Sequence, residues 1–163
     1  MPADDMTIRK ARRDDVATII DIFRMDDIGH GDAKGPVDLG PYLSAFERID
    51  ASADHVLYVA EIGDQVVGTF QRSLIPGLVA RGRTRMKIES VHVRTDLRSK
   101  GIGASMMRFA IDEARRLGVG LVELTSNKQR VTCCTFAFHC IFTNSTSSNR
   151  TTIVPVTVAT TTL

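Results

Sequence analysis

The chain has 163 residues, 43% hydrophobic and 25% charged, with a net charge of +2. These values suit one soluble domain with a single core and exclude a disordered chain. The near-neutral balance, without a basic stripe interleaved with aromatics, argues against nucleic acid as a partner, and no apolar run approaches the roughly 18 residues that a membrane span needs.

The opening MPADDMTIRKARRDD lacks the apolar core of a secretory signal, so a cytoplasmic location is expected. Within it MTIRKA alternates as a short strand. RRDDVATIIDIF follows as a helix capped by Asp14, with Val16, Ile19, Ile20 and Phe23 at i, i+3, i+4 and i+7 on one apolar face. DDIGHGDAKGPVDLGP is rich in Gly, Asp and Pro and reads as a loop of functional length. Its Asp26, Asp27, Asp32 and Asp38 can draw in a cation, although loop acids are commonly just solvated. PYLSAFERID, with Tyr42, Leu43 and Phe46 suitably spaced, is a second short helix.

VLYVAEI and QVVGTFQRSLI are two β-rich runs parted by Gly63 and Asp64, a hairpin signature. After GLVARGR, TRMKIESVHV predicts a third strand. A helix then begins near Gly103, with Met106, Ala110, Ala114 and Leu117 at helical spacing and Gly118 and Gly120 as its stop. LVELTS, following strand and helix, can lie parallel to the strand before that helix. The order is β α α β β β α β, a mixed α/β sheet.

Composition changes after Arg130. Residues 131–163 hold ten threonines, all three cysteines (Cys133, Cys134 and Cys140) and one charged residue, Arg150. The cysteines lack metal-ligand spacing and read as free thiols, and no metal site is expected. VTCCTFAFHCIFT and TTIVPVTVATTTL are β-branched and strand-like, joined by the turn NSTSSN. Two origins fit this segment: a divergent end, or translation in a slipped reading frame.

The stretch RSKGIGASMM, directly after a strand and opening an amphipathic helix, is the densest chemical signal. Backbone N–H groups at a helix start, with the positive end of its dipole, suit a phosphate. Gly101 and Gly103 let the backbone approach closely, and Arg98 and Lys100 add positive charge. A bare G-x-G also makes a plain strand-to-helix connection. P-loop spacing is absent, and Met106 stands where a dinucleotide fingerprint needs a third glycine. No metal-binding acids follow at useful spacing, which disfavours a phosphotransferase.

R-S-K-G-I-G-A, with V-H-V-R before it, resembles the coenzyme A signature Q/R-x-x-G-x-G/A of the GNAT superfamily of acetyl-CoA-dependent N-acetyltransferases. The resemblance runs from about residue 6 to residue 127 and takes in TIRKARRDDVATII, VLYVAEIGDQVVGTF, IESVHVRTDLRSKGIGASMM and LVELTS. It implies an α/β fold with a mixed, mostly antiparallel sheet, flanking helices and a splayed parallel pair of central strands. Residues 1–130 would be the N-acetyltransferase domain, and the atypical, Thr-rich 131–163 would complete or extend the sheet. The cosubstrate would be acetyl-CoA, its pyrophosphate over Arg98, Ser99, Lys100, Gly101, Ile102, Gly103 and Ala104, and its pantetheine arm along Val91, His92 and Val93. Asn127 would lie near the cofactor or its ordered water, unless it simply ends a strand.

Acetyl transfer to an amine needs a neutral nucleophile, a donor to the thioester oxygen and a proton for the departing thiolate. The resemblance points to Glu89 as general base, on the strand that would carry the cofactor, where Ile88 and Val91 would desolvate it; otherwise it pairs with a neighbouring cation. His92, three residues along, is expected to point its side chain to the opposite face as an ordinary packed or surface histidine. Family members commonly supply an acid from a tyrosine in F-Y-x-x-x-G-F. This chain has only Tyr42 and Tyr58, leaving Cys134, His139 and Cys140 as stand-ins, each equally suited to packing. The acceptor, a small-molecule or peptide amine, would enter between the loop from Asp26 to Pro41 and the hairpin end from Ile75 to Arg83. A catalytically impaired acyl-CoA-binding module is the alternative, and an unpaired tail edge would allow a homodimer.

Overall fold

The computed structural model describes residues 6–26, 36–127, 141–142 and 149–155. Asp27, Asp32, Cys133, Cys134, His139 and Cys140 lie outside the described residues. The elements run β1 (Met6–Lys10), α1 (Asp15–Arg24), α2 (Gly40–Asp50), β2 (His55–Ile62), β3 (Gln65–Ile75), α3 (Val79–Gly82), β4 (Arg85–Val93), α4 (Ile102–Arg116), β5 (Leu121–Asn127), β6 (Ile141–Phe142) and β7 (Asn149–Pro155). The strands form one sheet in the order β1-β2-β3-β4-β5-β7-β6, antiparallel except between β4 and β5. The mixed, mostly antiparallel sheet expected from the sequence is what forms. GLVARGR carries one addition, the four-residue α3. Among the described residues no helix is long and apolar enough to cross a membrane.

Two cores sandwich the sheet. On one face Ile102, Met106, Ala110 and Ala114 of α4 pack on Val56, Tyr58, Ala60, Phe70, Met86 and Ile88. On the other, Val16, Ile19, Ile20 and Ile22 of α1 and Phe46 of α2 cover Val59 and Val66. The alternation of strand side chains divides the residues between these faces. α1 and α2 run in opposite directions across this face: β1 ends beside the start of β2, α1 runs back across the sheet from there, and α2 returns to end just before β2 begins.

The start of α1 departs from expectation. Asp14 makes no side-chain cap hydrogen bond. Asp15 reaches back instead, Oδ2 accepting from the Arg12 N–H at 2.6 Å while its own N–H donates to the Arg12 carbonyl at 3.0 Å. The carboxylate also takes two hydrogen bonds from the Arg9 guanidinium, at 2.7 and 3.1 Å. Burial pushes the Asp15 carboxyl up, but the Arg9 guanidinium and the Arg12 N–H outweigh it and hold the group below the usual carboxylate range. Asp15, the first helical residue, closes the helix start because two donors, the Arg9 guanidinium from β1 and the Arg12 N–H before the turn, converge on it.

The end of α4 also differs in detail. The Val119 N–H donates to the Ala114 carbonyl at 2.9 Å and the Gly118 N–H to the Arg115 carbonyl at 3.1 Å, with Gly118 at φ +66. This turn swings Val119 into the core and leaves Leu117 38% exposed, so Leu117 does not join the buried face.

An isosteric Asp15→Asn substitution is expected to cost about 1–2 kcal/mol at neutral pH, as charged hydrogen bonds are lost. The lowered folded value means that this contribution is fully present above pH about 4 and disappears as pH falls through the folded value. Urea unfolding of wild type and variant across pH 2–7 checks it: the two curves should converge at the acid end.

Candidate active site

β4 and β5 pair in parallel over four positions, from Arg85↔Leu121 to Ile88↔Leu124. Beyond them β5 continues with β7 to Asn127↔Asn149, while β4 continues with β3 to Gly68↔Val93. The two central strands thus follow different partners, and the stretch from Glu89 to Val93 has no strand on its β5 side among the described residues. Glu89 is the first residue past the split.

A β-bulge sits just there. Thr69 faces His92 and Gln71 faces Glu89, so the single residue Phe70 spans both Ser90 and Val91, and Ser90 takes φ +54. An extra residue in one strand bends it and raises its twist, which carries β4 away from β5. It also reverses the alternation. Met86 and Ile88 pack towards α4, and so do Val91 and Val93 after the bulge. Glu89 and His92 therefore share the face of α1 and α2, correcting the expectation that they point to opposite faces; three residues of regular strand would have separated them.

Glu89 is not enclosed by apolar groups. Its side chain is 33% exposed, with Oε2 2.8 Å from Lys87 Nζ and Oε1 accepting from Ser73 Oγ at 3.4 Å. The neighbouring cation that the sequence left as an alternative is present, and Ile88 and Val91 turn to the other face. His92 is buried, edge-on to Phe23 with ring centroids 4.7 Å apart, its Nδ1 3.1 Å from Asp26 Oδ2. Asp26 Oδ1 lies 3.4 Å from Arg98 Nη2, so one carboxylate links the end of α1, the bulged strand and the glycine turn. Asp26 is 5% exposed and holds these partners, which corrects the reading of it as a solvated acid drawing in a cation. Asp38 likewise is engaged, accepting the Gly40 N–H at 2.9 Å at the start of α2.

The turn itself is exposed from Arg98 to Gly101. A single 3-10 turn, Thr95–Leu97, leaves β4, after which Ser99 and Gly101 take φ +64 and +85. Only Gly suits the second of these without strain, and a Cβ added there meets nothing within 4 Å, so the space over the turn is open. The Ser105 N–H is the first in α4 to close on a carbonyl, that of Gly101 at 3.0 Å. The N–H groups of Ile102, Gly103 and Ala104 precede that ladder and carry the helix's partial positive charge. Arg98 Nε donates to the Val93 carbonyl at 3.4 Å, its other arm reaching Asp26, while Lys100 is exposed at the rim. These residues fit a diphosphate. Asn127 ends β5.

Two further placements bear on the site. The hairpin end from Ile75 to Arg83 leads into the start of β4, whereas Asp26 touches His92 near its end, seven residues from Arg85 and so roughly 23 Å away. Residues 27–35 of the loop that begins at Asp26 lie outside the described residues. Tyr58 is buried against α4, stacked on Phe70 with ring centroids 5.0 Å apart and donating to Glu113 Oε1 at 3.3 Å. Burial and the Glu113 carboxylate both push its phenol up.

A sequence model of the acetyltransferase (GNAT) family matches residues 19–136. The chain belongs to the GNAT acetyltransferase family. GNAT enzymes are acyltransferases whose cosubstrate is acetyl-CoA. A solved transcriptional regulator from Bacillus halodurans C-125 is 31% identical with a TM-score of 0.72, covering 77% of this chain and 84% of its own. YncA from Salmonella typhimurium, solved with acetyl-CoA, is 20% identical with a TM-score of 0.72, covering 94% and 95%. Glucosamine-6-phosphate N-acetyltransferase from Arabidopsis thaliana is 22% identical with a TM-score of 0.63, covering 77% and 84%. The last two likenesses establish the GNAT fold alone. No match was found among curated proteins.

The bulge and the Asp26 bridge were not visible in the sequence. No glycine or proline marks the bulge, and Asp26 and Arg98 are 72 positions apart. Asp26→Asn is expected to destabilise the protein by about 2–3 kcal/mol, because it removes a buried charge from beside Arg98 and His92. Arg98→Ala, whose side chain is 42% exposed, should cost less. Guanidinium unfolding of both variants checks the order.

Proposed function

We propose that the chain is an N-acetyltransferase that moves the acetyl group of acetyl-CoA to a primary amine, with Glu89 as general base. The observation that carries this reading is the coincidence of three features at one end of β4: the parting from β5, the exposed turn with its forward-facing N–H groups, and a carboxylate at the first position past the split. Arg98, Ser99, Lys100, Gly101, Ile102, Gly103 and Ala104 would hold the pyrophosphate. Val91, His92 and Val93 offer the main chain along which the pantetheine would extend, and Asn127 stands at the end of the facing strand.

An alkyl ammonium is mostly protonated at neutral pH and must lose a proton before its nitrogen can attack the thioester. Glu89 takes that proton; the main-chain N–H groups of the bulged segment are the nearest candidates to polarise the thioester oxygen. An amine acceptor agrees with the sugar amine in the name of the Arabidopsis neighbour. The alternative, an acyl-CoA-binding module without turnover, is favoured by one observation: Tyr58, one of two tyrosines, is spent in the core on the α4 side, away from Glu89.

Purified protein is expected to bind acetyl-CoA in a calorimeter and to release free thiol when primary amines are added. Glu89→Gln should lower that turnover about 100-fold while leaving acetyl-CoA affinity within a factor of two. Binding without amine-dependent thiol release would favour the module; absence of binding would overturn both readings.

A further inference from the structure

Beyond Glu89 a line of polar side chains crosses the sheet on the same face. Ser73 Oγ, 4% exposed at the residue level, donates to Glu89 Oε1 at 3.4 Å. It lies 2.9 Å from His55 Nδ1, and Gln71 Nε2 donates to it at 3.4 Å. The arrangement follows from register: His55 is the cross-strand partner of Ser73 on β2, and Gln71, two residues from Ser73, is the partner of Glu89 on β4. Odd-numbered residues of this part of β3 face α1 and α2, so Gln71 and Ser73 fall between the imidazole and the carboxylate. His55 is exposed at the start of β2 and lines a small cavity of about 30 Å³, together with Lys10, Asp50 and Ser52. That is room for about one water molecule.

We propose that Ser73 and His55 relay the proton taken up by Glu89 to solvent. The proposal rests on the reading of Glu89 as general base. A base that collects a proton in every turnover must lose it again, and of the two side chains at its carboxylate Lys87 is a donor that cannot accept a proton, whereas the Ser73 hydroxyl can pass one on. While Glu89 is ionised, the single hydrogen of Ser73 points to Oε1, and its oxygen accepts from His55 Nδ1–H and Gln71. The exposed imidazole exchanges its hydrogen between ring nitrogens through water, so Nδ1 becomes an acceptor. Once Glu89 is protonated, it passes its proton to Ser73 Oγ, Ser73 passes its own hydrogen to His55 Nδ1, and the imidazolium releases one from Nε2 to water. The ammonium has lost one proton, the solvent has gained one, and Glu89 is ionised again. Ser73 and His55 act through Glu89 and touch no substrate; they are positioning residues for its proton. The charged groups around the path are Lys87 at Glu89, and Lys10 and Asp50 at His55.

The test compares Ser73→Ala, His55→Ala and Glu89→Gln in the full chain, using thiol release from acetyl-CoA with benzylamine, ethanolamine and glycinamide, in H2O and D2O, with and without added imidazole. Ser73→Ala and His55→Ala are expected to lower kcat about 10-fold with unchanged KM for acetyl-CoA and an enlarged solvent isotope effect, and imidazole should restore His55→Ala alone. His55 is exposed, so its removal leaves the fold intact, and a loss rescued by imidazole is one that a structural role does not produce. Wild-type kcat in both Ser73→Ala and His55→Ala beside a slow Glu89→Gln would overturn the relay alone. Wild-type kcat in Glu89→Gln would overturn the base and the relay together.

Discussion

The parting of β4 from β5 depends on one extra residue. With Ser90 and Val91 both opposite Phe70, β4 bends after Glu89 and stays with β3, while β5 stays paired with β7 along its whole length. A split in a sheet exposes backbone groups that water or a ligand must satisfy. It persists because each strand keeps a partner on its outer side, β3 for β4 and β7 for β5, and because α4 packs against the same core through Ile102, Met106 and Ala110. The same extra residue turns Glu89 and His92 to one face, so geometry that opens the sheet also groups the polar residues lining one side of it.

Asp26 connects this opening to the glycine turn. A buried carboxylate is stable only when its partners compensate for lost hydration, and here the imidazole of His92 and the guanidinium of Arg98 approach its two oxygens. The bridge fixes where the chain leaves α1 and, through Arg98 and the Val93 carbonyl, how the turn lies against the end of β4. The end of α1, the bulged strand and the glycine turn are thereby joined through one side chain.

The opposite face does different work. Tyr58, Arg72 and Glu113 form a polar group under α4, with Arg72 Nη1 donating to the Asp54 carbonyl at 3.3 Å and Arg116 fastening Glu113 from outside. Arg72 is 6% exposed and sits between β3 and the helix, so this group ties α4 to the sheet rather than serving the cleft. The Tyr58 phenol is occupied in that tie.

Local pattern alone determined most of the framework: period-2 runs around VLYVAEI and QVVGTFQRSLI, the hairpin at Gly63 and Asp64, the helical spacing of Met106, Ala110 and Ala114, and the glycine turn with its family resemblance. Each of these rests on neighbours within a few residues, where backbone preference and amphipathic spacing act directly. Tertiary structure decided the rest. Nothing in E-S-V-H specifies a bulge, which arises only when Phe70 and Gly68 of a different strand must be matched. Which acid caps α1 depended on Arg9 reaching across from β1, and whether Asp26 faces water depended on residues 66 and 72 positions away. The environment of Glu89, with Lys87 and Ser73 around it in place of an apolar wall, followed from which face each side chain took, and that is a property of register between strands rather than of any one strand.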